Sequence, residues 1–312
     1  MSERPVGPLV NALRQLGAQI HYTGRDGYLP LYIEGRQLEG GCVTLASDMS
    51  SQFATALLLV APTMKGGLQL RLSGSIVSRP YIDLTLALMQ QYGAQAAWID
   101  PQTIHVNAST YLFHPTTVEP DWSAAGYAYE WMATTAHDAL LLGGLQEASL
   151  QPDRRAAELF GLLGVETHFT AEGAWLTRRD EPSVTPTIDL TMTDVPDLVP
   201  TLAATCLKKG VPFRLSGIRH LRLKESDRLA ALTEEMGRLG YHVTSTDDTL
   251  LWQGERTTQR EDVTVNPHGD HRIAMSLAPL LGPKARQHIS DATVVSKSYP
   301  QFWTNFESFY TA

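Results

Sequence analysis

Apolar positions along the chain fall into two recurring kinds of helix, separated by short strand-like runs. One kind ends in an apolar stretch, then glycine, then a strand. It occurs at Leu13-Arg14-Gln15-Leu16-Gly17, Leu88-Met89-Gln90-Gln91-Tyr92-Gly93, Leu159-Phe160-Gly161-Leu162-Leu163-Gly164 and Met236-Gly237-Arg238-Leu239-Gly240. The closing glycines recur at roughly 70 to 76 residues, a fixed-period signal. Each suits the left-handed position that ends a helix. The second kind starts near Ser51, Ser123, Asp197 and His271. It runs over Phe53 to Val60, Tyr127 to Leu142, Leu198 to Leu207 and Ile273 to Leu281. These segments are apolar nearly all round, which predicts buried helices. Their Ser, Asp and His starts suit helix N-termini.

Strand-like runs include Leu68 to Leu72, Val211 to Leu215, Val263 to Val265, Tyr241 to Ser245 and Thr249 to Trp252. The unit reads β-α-β-α-β-β, with complete copies predicted over 42–107, 115–178 and 186–252. Residues 5–34 supply only α-β-β, and residues 262–312 only β-α-β-α. The ragged ends suggest a chain cut from a longer repeating architecture; divergent terminal caps are the alternative. The fold class is α/β. Residues 1–114 are expected to be the remainder of a first-half domain, a partial unit plus one full unit. Residues 115–312 are expected to be a second domain of two full units plus one incomplete unit. The junction is placed near His114-Pro115-Thr116, with another loop at Asp180 to Pro186.

The 312 residues exceed one ordinary core, in keeping with two domains. A hydrophobic content of 43% and a charge of 19% describe a soluble globular protein. The net charge of −8 and the lack of a basic stretch argue against nucleic acid as partner. No apolar stretch is long enough to span a bilayer, and Met1-Ser2-Glu3-Arg4-Pro5 is no signal peptide. Cys42 and Cys206 fit no metal or redox spacing and read as small core residues. A cytoplasmic protein is expected.

Two polar clusters break the apolar pattern: Arg222-Leu223-Lys224-Glu225-Ser226-Asp227-Arg228 and Gly269-Asp270-His271-Arg272-Ile273-Ala274-Met275. A Glu beside a Lys, with an Arg one turn on, can handle protons and hold an anion in one place. Lys224 and Arg228, four apart, are expected on one helical face. A solvated charged face is the bland reading; two cations on one face tilt toward an anion site. Helix N-termini attract phosphate or carboxylate. Ser50-Ser51-Gln52 therefore reads either as a plain cap or as two hydroxyls and an amide for an anion. Asp197 is either an N-cap or a general base. Asp270-His271-Arg272 opens a helix whose burial would bring its polar head to a cleft. Lys297 alone reads as a surface lysine.

With these residues together the chain resembles the 5-enolpyruvylshikimate-3-phosphate synthase family, the 3-phosphoshikimate 1-carboxyvinyltransferases. Arg222 to Arg228 looks like the family's R-x-K-E-[ST]-D-R signature, and Asp270 to Met275 resembles D-H-R-[IM]-A-M. Ser50-Ser51-Gln52-Phe53, Val77-Ser78-Arg79-Pro80-Tyr81-Ile82-Asp83, and Arg4-Pro5 with Pro8-Leu9 match further segments in order. The sister enzyme acting on a UDP-sugar shares the fold but lacks K-E-[ST]-D-R. The resemblance implies the enolpyruvyl transferase fold, two domains of repeated β-α-β-α-β-β units around a cleft, with the N-terminal units missing here. The family's P-G-D-K-S and N-A-G-T-A motifs are not in this sequence. The likeness covers roughly the last seven-tenths of a full-length member, as the repeat count suggests.

The reaction so implied transfers the enolpyruvyl group of phosphoenolpyruvate to the 5-hydroxyl of 3-phosphoshikimate, with release of phosphate, in the shikimate pathway. It needs no metal or organic cofactor. Carried over by motif, Ser50, Ser51, Gln52 and Ser78 hold 3-phosphoshikimate. Asp197 accepts the hydroxyl proton, helped by Lys224, and Glu225 protonates the methylene carbon. Gln52, Arg228, Arg272 and Lys297 bind phosphoenolpyruvate, supported by His271. His220 stands where Asn is expected and is kept as a 3-phosphoshikimate ligand. The alternatives are a silent binding homologue or an enolpyruvyl transferase acting on a UDP-sugar. Implied partners are the two small substrates and a possible N-terminal fragment in trans, with no nucleic acid or membrane, and a monomer if complete.

Overall fold

Alternating burial along short strands sets the layers of each unit. The computed structural model describes residues 4–46, 51–179, 187–257, 262–281 and 287–311. Two compact units divide at Thr117 and Val118.

The first unit begins with α1 (Gly7–Gln15) and the antiparallel pair β1 (Gln19–Tyr22) and β2 (Leu31–Glu34). Next come β3 (Gly41–Ala46), α2 (Ser51–Val60), β4 (Leu68–Ser73), α3 (Arg79–Gln91), β5 (Ala96–Asp100) and β6 (Thr103–Val106). Val43 and Leu45 of β3, and Leu68, Leu70 and Leu72 of β4, point inward and are buried. The residues between them face out, so one side of the sheet is apolar and the helices cover it. Cys42 lies on the outward side and is exposed, which corrects its reading as a core residue; Cys206 is buried.

The second unit holds α4 (Trp122–Thr134), β7 (Ala139–Gly143), α5 (Ala156–Gly161), β8 (Val165–Thr170), β9 (Gly173–Arg178), β10 (Ile188–Thr191), α6 (Val199–Lys209) and β11 (Phe213–Ser216). It continues through α7 (Arg228–Arg238), β12 (Thr244–Ser245), β13 (Thr249–Trp252), β14 (Val263–Val265), α8 (His271–Leu277), β15 (Gln287–Ile289) and α9 (Phe302–Thr311).

The strand pairing reproduces one unit several times. The sheets run β3-β4-β6-β5 and β10-β11-β13-β12, each with a parallel first pair and antiparallel remainder. The partial units show fragments of the same order. β7-β9-β8 lacks only the first strand, β14-β15 is the parallel pair, and β1-β2 the antiparallel one. Gly17, Gly93, Gly164 and Gly240 all have positive φ, where a Cβ would be strained, so the periodic glycines mark one repeated helix end.

The larger departures from the sequence reading are a missing strand and an early helix end, beside shifts of a few residues elsewhere, such as the strand expected over Tyr241 to Ser245 that spans Thr244–Ser245. The copy over 115–178 has no opening strand. Pro115 and Pro120 remove ladder donors, and Glu119 is committed to side-chain bonds with Trp122 (2.9 Å) and Ser149 (2.6 Å). The helix read over Tyr127 to Leu142 ends at Thr134. Thr134 and Thr135 hydroxyls bond back to the carbonyls of Glu130 (2.7 Å) and Trp131 (2.8 Å), and Thr135 is extended. Leu140 to Leu142 then join β7, paired with β9. The loop placed at Asp180 to Pro186 lies outside the described residues.

α6 is buried at every position from Val199 to Leu207. It packs between α4 and α8. Between α4 and α9 lies an aromatic cluster of Tyr127, Trp131 and Phe302, backed by Phe306 and Phe309.

Candidate active site

Asp227 decides where α7 can begin. Its carboxylate accepts the Ala230 N–H at 3.0 Å, capping the helix, and also takes Arg222 at 2.8 Å. Lys224, Glu225 and Ser226 therefore lie in the turn before the helix. Lys224 and Arg228 do not share a helical face, contrary to their spacing; the turn brings them together instead.

Arg228, the first residue of α7, is 1% exposed. Its Nε donates to Asp270 Oδ2 at 2.7 Å, Nη1 to Asp197 Oδ1 at 2.9 Å, and Nη2 to Glu225 Oε2 at 2.8 Å. A buried guanidinium is tolerable only with such pairing. Arg272 Nη2 donates to the other oxygen of Asp197 at 3.0 Å, and Lys224 Nζ stands 3.8 Å from Asp197. Lys297 Nζ donates to Glu225 Oε1 at 2.8 Å. Four cations thus meet three carboxylates, an excess of positive charge that suits an anionic ligand.

The sequence explains the placement. Asp197 sits in a short 3-10 turn, Pro196–Leu198, ahead of α6, and caps neither helix; both its oxygens are taken by arginine. Asp270 is the N-cap of α8, accepting the Arg272 N–H at 3.0 Å while its other oxygen holds Arg228. One buried carboxylate therefore fixes both arginines.

Electrostatics follow from this geometry. Burial works against the charge of Asp197, but Arg272, Lys224 and Arg228 prevail and hold its carboxyl well below the usual carboxylate range. Burial likewise opposes Glu225, yet Arg228 and Lys297 bring it down to about 2. Burial lowers Lys224, with Asp197 pulling the other way. His220 and His271 are buried, and both fall to about 4, chiefly by desolvation, helped by Lys224 at His220 and by Arg272 at His271. Both rings are neutral near pH 7.

In the first unit, Ser51 and Gln52 form the first turn of α2, and Ser78 precedes α3. Ser78 has φ 57° and is 4% exposed, a left-handed serine with no capping bond. Such conformations cluster at ligand sites. Ser50 lies outside the described residues.

Asp270 and Tyr127 were not singled out from sequence as site residues. Tyr127, on α4, feels the charges of Arg272, Arg228 and Asp197, and burial lifts its hydroxyl to about 12, so it keeps its proton. The D-H-R motif contains Asp270, but its partner lies in another motif; an apolar helix gives no signal for Tyr127.

The family model for EPSP synthase (3-phosphoshikimate 1-carboxyvinyltransferase) matches residues 1–306. The chain belongs to the EPSP synthase family. It is 45% identical over 97% of its length to a 3-phosphoshikimate 1-carboxyvinyltransferase of Bacteroides fragilis, covering 74% of that protein. A relative of that name from Syntrophobacter fumaroxidans is 36% identical over 98% of this chain and 72% of its own length. Among solved structures, an EPSP synthase from Acinetobacter baumannii aligns with a TM-score of 0.69 at 20% identity, over 96% of this chain and 69% of that one. The enolpyruvyl transferase NikO from Streptomyces tendae aligns with a TM-score of 0.66 at 16% identity, over 99% and 72%. Both support the enolpyruvyl transferase fold. Family membership makes the chain a transferase of the shikimate pathway. Among the described residues, no helix is long and apolar enough to cross a membrane.

Proposed function

We propose that this chain joins the enolpyruvyl group of phosphoenolpyruvate to the 5-hydroxyl of 3-phosphoshikimate, and that the residues assigned above by motif carry the reaction. The observation that supports it best is the Arg228 cluster: two proton-handling carboxylates held by cations that an anionic substrate would compete for. In the proposal Arg228, Arg272 and Lys297 bind the carboxylate and phosphate of phosphoenolpyruvate, with Gln52 and His271. Ser50, Ser51, Gln52, Ser78, Asp197, His220 and Lys224 hold 3-phosphoshikimate.

The low pKa values fit the chemistry once ligand charge is counted. An anion on Arg228, Arg272 and Lys297 offsets the positive field at Asp197 and Glu225. Both carboxyls then rise toward working pH, where proton transfer is effective. Asp197 takes the hydroxyl proton, and Lys224 steadies the developing charge on oxygen. That oxygen bonds to C2 of phosphoenolpyruvate while Glu225 gives a proton to C3. Loss of a proton from the new methyl group then expels phosphate and restores the double bond. Asp197→Asn should lower the rate about 10² to 10⁴-fold while changing 3-phosphoshikimate affinity far less. Near-normal turnover of the variant would remove the assignment.

The proposal extends to organisation. The complete enzyme works in the cytoplasm as a monomer, its domains being 1–114 and 115–312, a junction beside the division between the compact units at Thr117 and Val118. A segment equivalent to the part of the relatives outside the alignment contributes to turnover, in cis or in trans. Phosphate release measured with and without a separately expressed N-terminal fragment tests this; equal release in both would refute it.

A further inference from the structure

α7 carries a second buried charge on the stripe that holds Arg228. Glu235 lies seven residues on, two helical turns or about 10 Å along the same face. It is 0% exposed. Its Oε2 accepts the backbone N–H of Asn266 at 3.0 Å, and its Oε1 accepts from His268 Nε2 at 2.9 Å. The Arg238 Nε stands 3.7 Å from Oε1.

These bonds reach into the segment that delivers the second motif. The Asn266 side chain accepts the His268 N–H at 2.9 Å, and Pro267 O accepts the Asp270 N–H at 2.8 Å. His268 has φ 53°, in the left-handed region that few residues other than glycine enter, although histidine, like asparagine and aspartate, enters it more readily than most. The segment 266–270 is thus gripped at both ends by one helix, Glu235 at Asn266 and His268, Arg228 at Asp270. Arg272 follows from Asp270, which caps its helix.

Glu234, Glu235 and His268 could be taken for metal ligands, since their donor atoms lie within 4.8 Å of one another. The Arg238 guanidinium beside Glu235, and the Asn266 amide already on it, supply the charge and bonds a cation would bring. The arrangement is a clamp between protein groups.

We propose that Glu235 and His268 form a positioning pair that sets Asp270 and Arg272 against Arg228, and so sets affinity for phosphoenolpyruvate. This rests on the reading of Arg228 and Arg272 as its anion site. Neither Glu235 nor His268 touches the substrate in this proposal.

The test uses the full chain and four variants. His268→Asn keeps a residue tolerant of positive φ but cannot reach Glu235. Glu235→Gln preserves the shape and one acceptor, so it is the milder change. His242→Asn is the control, since His242 makes the same kind of bond to Glu255 (2.6 Å) on the surface. Arg272→Ala tests the underlying site. Phosphoenolpyruvate affinity is measured by calorimetry and amide exchange at Asp270 and Arg272 by NMR. His268→Asn should weaken phosphoenolpyruvate about tenfold, a difference of about 1.4 kcal/mol, and speed exchange of both amides by a similar factor. Glu235→Gln should retain most of the affinity, and the control should match the parent. Parent-like exchange in His268→Asn overturns the pair without any ligand being needed. Parent-like affinity in His268→Asn beside a loss in Arg272→Ala overturns the inference and leaves the site standing. Parent-like affinity in Arg272→Ala removes the site reading, and the inference with it.

Discussion

α2 and α6 hold the same place in two copies of one repeat, yet they end in different environments. α6 follows a proline turn, is buried from Val199 to Leu207, and starts beside a carboxylate bound by two arginines. α2 buries Ala54, Leu57 and Leu58 but leaves Leu59 at 47% and Val60 at 40% exposure. Its start offers the uncharged side chains of Ser51 and Gln52. The repeat therefore fixes where a helix begins and ends. What surrounds it decides whether the helix is a core element, and whether charges can be held dry at its tip. In the second unit the helices around α6 exclude water, so a charge cluster must be internally paired. In the first unit the side chains at the helix start are uncharged and more exposed, so no charge has to be held dry there.

The largest expected effect tests that need for pairing. Asp270→Ala removes a fully buried carboxylate from Arg228 and the cap from α8. Breaking a buried pair by one partner costs about 3 to 5 kcal/mol, so the urea midpoint of the second unit should fall accordingly. A cost near that of a surface substitution would mean the cluster is wet, and the contrast with α2 would collapse.

A smaller effect separates the two helices directly. Leu202, fully buried in α6, should cost about 2 to 5 kcal/mol on change to alanine. Leu59→Ala in α2 should stay within about 0.5 kcal/mol. Equal costs in chemical denaturation would show that Leu59 is covered in solution.

Much of this is legible in the sequence. The run from Leu198 to Leu207 is apolar nearly all round and follows the start signal at Asp197, so α6 is placed by pattern alone. β13 was read at Thr249 to Trp252, where it lies. The Tyr127 to Leu142 run defeated the same logic, because an apolar helix followed by an apolar strand has no change of period to show the join. Cys42 misled because its neighbours are apolar, while its side of β3 depends on register. At the site, the charged clusters were visible as motifs, but pairing across 42 residues, as between Arg228 and Asp270, is a tertiary fact. The turn that Asp227 forces at Lys224 was hidden for a local reason, because four-residue spacing reads as helix.

The smallest effect concerns acid. His21, His105 and His114 in the first unit are exposed, whereas His220 and His271 in the second are buried. Each of these two lies at about 4 in the folded protein, against an ordinary value of 6.5. Between those limits the unfolded chain binds more protons than the folded one, so stability rises with pH across the window and falls as pH drops from about 6.5 toward 4. The second unit should therefore lose stability on mild acidification, and the first should not lose it by this route. For His220 alone the loss between pH 7 and pH 5 should be on the order of 1 to 2 kcal/mol. His220→Asn removes that titration, so its stability should vary less steeply with pH than the parent's over this range. Denaturation midpoints at pH 5, 6 and 7, followed by amide exchange resolved by unit, check the point. A slope unchanged by the substitution would show that the His220 ring gains a proton in the folded state, and that its surroundings are wetter than α6 requires.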